Sequence, residues 1–277
     1  MQITPLSEHT GAEVTGIDLT VAVSDAQRRR LNEAFVEHSV LVVREQSLDP
    51  HAFVRAARLF GEVFQQHNTR FALESCPQVH YVSNQDFHPD GSRYIPGSGY
   101  HTDHSNDGRP PKATVLHAVE LPDRGGDTQF VNMHEAYASL PPSLRDAVEG
   151  RQAVHVYQSR HSARKLMALP KSGGGTVPAS VTHPLVRVHP QSGRLALYLN
   201  PIRIESIEGM EETEALELLD ALLAHATRVE HEYRHQWRVG DLTLWDNRCL
   251  LHRANGDYDM AQRRYLYRLM LRDEARD

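Results

Sequence analysis

Along the chain, apolar positions recur first with a helical period and then with an alternating one. Glu13 to Leu19 alternates and predicts a strand. Ser24 followed by Gln27 has the form of a capping box, and Asp25 to His38 carries Leu31, Ala34 and Phe35 at helical spacing. Ser39 to Val43 reads as a short buried strand. Pro50 opens a second helix through Phe60, closed by Gly61. From residue 77 the texture changes to short β-like runs: 78–83, 99–104, 113–119, 128–132, 153–157, 185–189, 195–199, 231–237, 242–245, 250–253 and 265–271. Turn signals such as Pro122-Asp-Arg-Gly-Gly126 and Pro190-Gln-Ser-Gly193 separate them. One helix interrupts them, Glu211 to His225, with Leu216, Leu219, Leu222 and Leu223 on one face. Many short strands with few helices predict a mainly β protein, a sandwich or barrel with flanking helices.

Composition narrows this. With 277 residues, no internal repeat and no long linker, one domain over 1–277 is expected. Apolar residues are 40% and charged residues 24%, as in ordinary globular chains. The net charge of −6 gives no basic footprint for nucleic acid. No apolar run is long enough to cross a membrane, and no signal peptide is visible at the start. Two cysteines, Cys76 and Cys249, make no disulfide framework, so a cytoplasmic setting is expected. Lys171-Ser-Gly-Gly-Gly175 is the one flexible-looking loop, a lid or a plain turn.

Histidine is the surplus residue, 18 in all. In Gly99-Tyr-His101-Thr-Asp103-His104, residues i and i+2 of a strand share a face, so His101 and Asp103 aim at one point while His104 turns away. His252 follows a short apolar strand near the C-terminus. Two histidines and one carboxylate can form the facial triad of non-heme Fe(II) oxygenases, which leaves three metal positions open. On 265–271, Arg264 and Arg268 share a face with Leu266 between them. Arg263, Tyr265 and Tyr267 take the other face. Two inward guanidiniums need anions, and each can hold a carboxylate bidentately.

These residues, in this order, resemble the Fe(II)- and 2-oxoglutarate-dependent dioxygenases of the taurine dioxygenase and 2,4-dichlorophenoxyacetate dioxygenase family. The resemblance runs from Ile3-Thr-Pro-Leu6 through Gly16-Ile-Asp-Leu-Thr20, Phe60-Gly-Glu62, Tyr100-His-Thr-Asp103 and Leu121-Pro-Asp-Arg-Gly-Gly-Asp-Thr128. It continues to Trp245-Asp-Asn-Arg248 and Arg268. It implies a double-stranded β-helix, a jelly roll of the clavaminate-synthase type. It implies Fe(II) on His101, Asp103 and His252, and 2-oxoglutarate held by Thr128 and Arg264 beside Trp245. O2 is the further cosubstrate and Arg268 the group for a substrate anion. Because Asp103 is present, halogenation is not implied.

Departures lie at the substrate end. Gln66 stands in register with a family histidine, and His67 follows one residue later. Gly97 replaces an asparagine and Tyr157 a phenylalanine, the loop after Asn200 is shorter, and 257–261 holds one extra residue. Substrate contacts are therefore expected at Arg268, Gln66, His67, Tyr100 and Tyr157, with a small anionic substrate other than taurine. The Arg160-His161 and Arg164-Lys165 cluster is either a pocket rim or a solvated helix start. By resemblance, hydroxylation with release of succinate and CO2 is expected from a homodimer or tetramer. Desaturation or another tailoring oxidation, a non-catalytic 2-oxoglutarate or metal sensor, and a zinc hydrolase are the alternatives.

Overall fold

The computed structural model describes residues 1–66, 68–88, 90–162, 166 and 179–273. It opens with an antiparallel hairpin, β1 (Gln2–Pro5) and β2 (Ala12–Thr15). Helix α1 (Asp25–His38) begins as expected. The Ser24 side chain accepts from the Gln27 amide, and the Gln27 side chain accepts from the Ser24 amide. The helix buries Leu31, Ala34 and Phe35 and turns at Ser39, whose φ is +61°. Strand β3 (Val40–Val43) is buried on both faces. Helix α2 (Pro50–Ala57) has Asp49 as N-cap and Pro at its start, and it stops short of the expected Phe60.

Short strands follow: β4 (Glu62–Val63), β5 (Ala72–Leu73), β6 (Cys76–Ser83), β7 (Asp86–Phe87), β8 (Arg93–Tyr94), β9 (Ala113–Glu120) and β10 (Thr128–Asn132). Two helices absent from the sequence reading come next, α3 (Met133–Ala138) and α4 (Pro142–Val148). Each is under two turns, too short to show a period. Beyond them lie β11 (Gln152–His155), β12 (Val181–Pro184), β13 (Val186–Val188), β14 (Leu195–Leu197) and β15 (Ile204–Ile207). Helix α5 (Glu212–Ala226) buries Ala215, Leu218, Leu222, His225 and Ala226, so its seam is rotated from the expected leucine face. The chain closes with β16 (Glu232–His235), β17 (Leu242–Asp246), β18 (Leu250–Ala254) and β19 (Tyr265–Arg272).

The large sheet runs β1-β2-β3-β17-β9-β19-β6-β5, with β4 added beside β19. Only β2–β3 in it is parallel. Alternation along the strands splits its side chains between two cores. Leu41, Val43, Ala113, Val115, Leu244, Leu269 and Leu271 pack outward under α1 and α2. Val40, Val42, Leu116, Ala118, Trp245 and Leu266 point inward to Phe130 and Leu251 of the smaller β16-β10-β18 sheet. Two facing antiparallel sheets with helices outside make the expected double-stranded β-helix. Among the described residues no helix is long and apolar enough to cross a membrane.

Candidate active site

The two sheets enclose a cavity of about 150 Å³. At one place in its wall the main chain joins His101 to His252. His101 N donates to His252 O at 3.0 Å and His252 N donates to His101 O at 2.8 Å. This single bridge is all the β structure in 99–104. The strand expected there is instead a turn, and His104 sits at φ +47°. The alternation argument for His101 and Asp103 therefore does not hold, yet the turn itself brings them together. His101 Nε2 lies 3.8 Å from Asp103 Oδ1, and His252 Nε2 lies 3.7 Å from Asp103 Oδ2. The left-handed turn also carries His104 into the cavity wall, against Phe64, rather than away from it.

Surrounding groups hold the three in place. His101 Nδ1 donates to Gly99 O at 2.9 Å, which leaves Nε2 with its lone pair toward the cavity. Asp103 accepts from Thr114 Oγ1 at 2.6 Å and from Arg268 at 2.7 Å. Burial alone would raise its pKa. Arg268, the two imidazoles and the Thr114 hydroxyl outweigh burial and hold the carboxyl well below the usual carboxylate range. Thr114 in turn accepts from Asn247 Nδ2, and Asn247 Oδ1 accepts from Trp245 Nε1 at 3.1 Å. The Trp245 ring packs on His252 with centroids 4.6 Å apart. Asn200 and Asn247 tie down the turn through Thr102 and Ser105. Thr114 was not singled out in the sequence, where an isolated polar residue inside a strand carries no periodic signal. Asn247 stood within the Trp245-to-Arg248 motif and Asn200 at the shortened loop, neither with a role of its own.

Further along the wall lies Arg264, 5% exposed. Its Nε donates to Gly126 O at 2.9 Å. Among the described residues no carboxylate lies within ion-pair distance of it. Burial pushes its pKa down to about 10, against the pull of Tyr258 and Asp127. It remains a cation at neutral pH. The Gly125-Gly126 pair lets the chain pass this close. A Cβ at Gly126 would meet Arg264 Cδ and Nε at 3.2 Å, and one at Gly125 would meet Asp257 O at 2.5 Å. Thr128 is buried beside them and accepts from Trp237 Nε1 at 3.0 Å. Trp237 also faces the Arg264 guanidinium, 5.9 Å from ring centroid to charge. Trp237 was missed in the sequence, although a polar-flanked tryptophan there was the available signal.

The expected substrate residues divide. Arg268, Gln66 and Tyr157 line the cavity. Tyr100 does not: its hydroxyl donates to Glu232, and its ring stacks under Arg253. A residue next to a ligand in sequence points away once the chain turns. His67 and the loop 171–175 lie outside the described residues, as do Arg164 and Lys165. Arg160 pairs with Glu205 and Glu212 at the surface.

The chain matches the family model described as "Taurine catabolism dioxygenase TauD, TfdA family" over residues 2–270. It belongs to that family. The chain is 34% identical to the α-ketoglutarate-dependent 2,4-dichlorophenoxyacetate dioxygenase of Cupriavidus pinatubonensis, over 98% of this chain and 97% of that protein. It is 31% identical to an α-ketoglutarate-dependent sulfate ester dioxygenase of Pseudomonas putida, over 99% and 90%. A taurine dioxygenase structure from Burkholderia xenovorans superposes with a TM-score of 0.82 at 34% identity, covering 98% of this chain and 88% of that one. The enzyme class is thus an Fe(II)- and 2-oxoglutarate-dependent dioxygenase, an oxidoreductase.

This TauD/TfdA member has a second cluster that resembles a metal site, His189, Asp246 and Cys249. Its carboxylate is already taken. Arg248 donates to both Asp246 oxygens at 2.8 and 2.6 Å, and His189 Nε2 lies 3.0 Å from Oδ2. Burial pushes the Cys249 thiol up, away from the thiolate a metal needs. This cluster braces the sheet. Of the two, only the His101 cluster opens on the cavity.

Proposed function

We propose that this protein hydroxylates a C–H bond of a small anionic substrate other than taurine, with 2-oxoglutarate converted to succinate and CO2. The observation that carries it is Arg264. A buried guanidinium without a carboxylate is costly to the fold unless an anionic ligand meets it, and this one opens on the cavity that His101, Asp103 and His252 also line.

The donor set fits Fe(II). Two imidazole nitrogens and a carboxylate oxygen lie within 4.8 Å of one another, and one imidazole has its tautomer set by Gly99. His101, Asp103 and His252 would hold the metal. Arg264 and Thr128 would grip the distal carboxylate of 2-oxoglutarate, with Trp237 closing over them, so that the keto-acid end points to the triad. Trp245 would keep water from His252. Bound iron and 2-oxoglutarate would supply the oxidation: of the two atoms of O2, one enters succinate and the other the substrate. Arg268, beside Asp103, would set the substrate anion next to the metal ligands and fix which C–H bond is presented.

The test is the visible charge-transfer band of the keto acid on Fe(II), recorded without oxygen. A band that is lost in His101→Ala and weakened in Arg264→Ala is the expected result. Iron shown to be bound with no band on adding 2-oxoglutarate overturns the assignment.

A further inference from the structure

Buried amides in the scaffold of this protein have both ends satisfied. Gln46 accepts from Leu19 N and donates to the Ile17 and Arg44 carbonyls. Asn200 donates to Thr102 O and Ser105 Oγ and accepts from Ile202 N. Asn84 accepts from Arg264 N and donates to Gln262 O. Three polar residues in the cavity wall break this pattern. Gln66, His80 and Asn106 are 6%, 3% and 2% exposed. Their Gln66 Nε2, His80 Nε2 and Asn106 Oδ1 atoms are buried without a hydrogen-bond partner. Unpaired buried polar atoms also occur at Asp86, His155, Tyr198, Asp241 and Arg272, away from the cavity, so a missing partner alone marks nothing. These three belong to residues that line the cavity, where a ligand can supply the partner.

Their position says which ligand. His80 is the direct cross-strand partner of Arg268, and both point inward. Burial and the Arg268 charge push the His80 imidazole down to about 4, so it is neutral at physiological pH. In the same cavity as the guanidinium that would take an anion, the wall thus offers an amide donor, an amide acceptor and a neutral imidazole. The acceptor repels a second anion, and none of the three suits bare hydrocarbon. The three atoms are closed to solvent as the wall stands, so a substrate must draw them out by small side-chain rotations and supply their partners, or bind weakly.

We propose that the prime substrate carries, besides its anionic group, neutral hydrogen-bonding functions, hydroxyl or amide. They present a donor to Asn106 Oδ1 and an acceptor to Gln66 Nε2, with His80 completing the set. This rests on the dioxygenase reading above and narrows its substrate class. A chlorinated phenoxyacetate in this cavity would instead bury all three atoms against carbon and chlorine.

The test measures binding. The Fe(II)- and 2-oxoglutarate-loaded protein is titrated without oxygen with acids of matched length: unsubstituted, hydroxylated and amide-bearing. The change in the visible band reports binding. The hydroxylated or the amide acid is expected to bind at least about tenfold more tightly than the unsubstituted one, since each unmet buried polar atom is worth about that factor. Which of the two does so names the function. In Asn106→Leu and Gln66→Met, both near-isosteric, the preference should shrink toward unity while the band persists and shows a folded, loaded site. A panel in which no polar acid outbinds its unsubstituted counterpart overturns the proposal, as does a preference that survives both substitutions. Absence of the band itself would instead count against the dioxygenase reading.

Discussion

Arg248 and Arg264 are both buried, both belong to motifs of the same family signature, and lie in one continuous fold. Their surroundings differ in kind. Arg248 donates to both oxygens of Asp246, to Gln191 and to Asp273. Burial opposes its charge, but Asp246 more than offsets this and its pKa rises. Among the described residues Arg264 makes a single side-chain hydrogen bond, to a backbone carbonyl, and its pKa falls. The fold closes a charge where that charge braces the sheet and leaves one open where a ligand must come. The two His/Asp clusters differ in access rather than in pairing: each carboxylate holds an arginine, Asp246 with Arg248 and Asp103 with Arg268, but only the His101 cluster faces the cavity.

The largest effect should come from breaking the closed side. Arg248→Leu leaves Asp246 buried without its guanidinium, held among the described residues only by His189 and a backbone amide, and should destabilise the protein by about 3–5 kcal/mol. Urea denaturation measures this, and adding Asp246→Leu should restore much of the loss. Arg264→Leu should behave oppositely. Its urea midpoint should stay at or above that of the wild type, while affinity for 2-oxoglutarate drops by about 2–4 kcal/mol, roughly 30- to 1000-fold. A stability loss like that of Arg248→Leu would erase the distinction drawn here.

The smallest effect is in pH. His80 is held near 4 by burial and Arg268, against about 6.5 in the unfolded chain. Above pH 6.5 both states are neutral and no stability is lost. As pH falls from 6.5 toward 4, the unfolded chain takes the proton and the folded one does not, so stability declines. His155, held near 3 by burial and its cationic neighbours, adds to the same decline. Stability measured from pH 7.5 to 4.5 should therefore fall less steeply in His80→Leu.

The sequence made some of this legible and hid the rest for physical reasons. Helix α1 was readable to its boundaries because its cap is local chemistry, Ser24 with Gln27. The inward pairing of Arg264 and Arg268 was readable because 265–271 is a regular strand with period two. The segment 99–104 was misread because polar alternation also fits a turn, and only a long-range bridge to His252 decides between them. His80 and Asn106 were invisible. Lone polar residues gain meaning only when distant chain encloses them and leaves an atom unpaired.

The bridge between His101 and His252 has one more consequence. It is made of main-chain groups, which every residue type carries alike. The spacing of the two backbones that carry the imidazoles is thus set by main-chain bonds, and neighbouring side chains only brace the turn and orient the rings. Residues around the cavity are free to diverge for new substrates while the pair keeps its distance. A chain built this way can change its diet without rebuilding its tool.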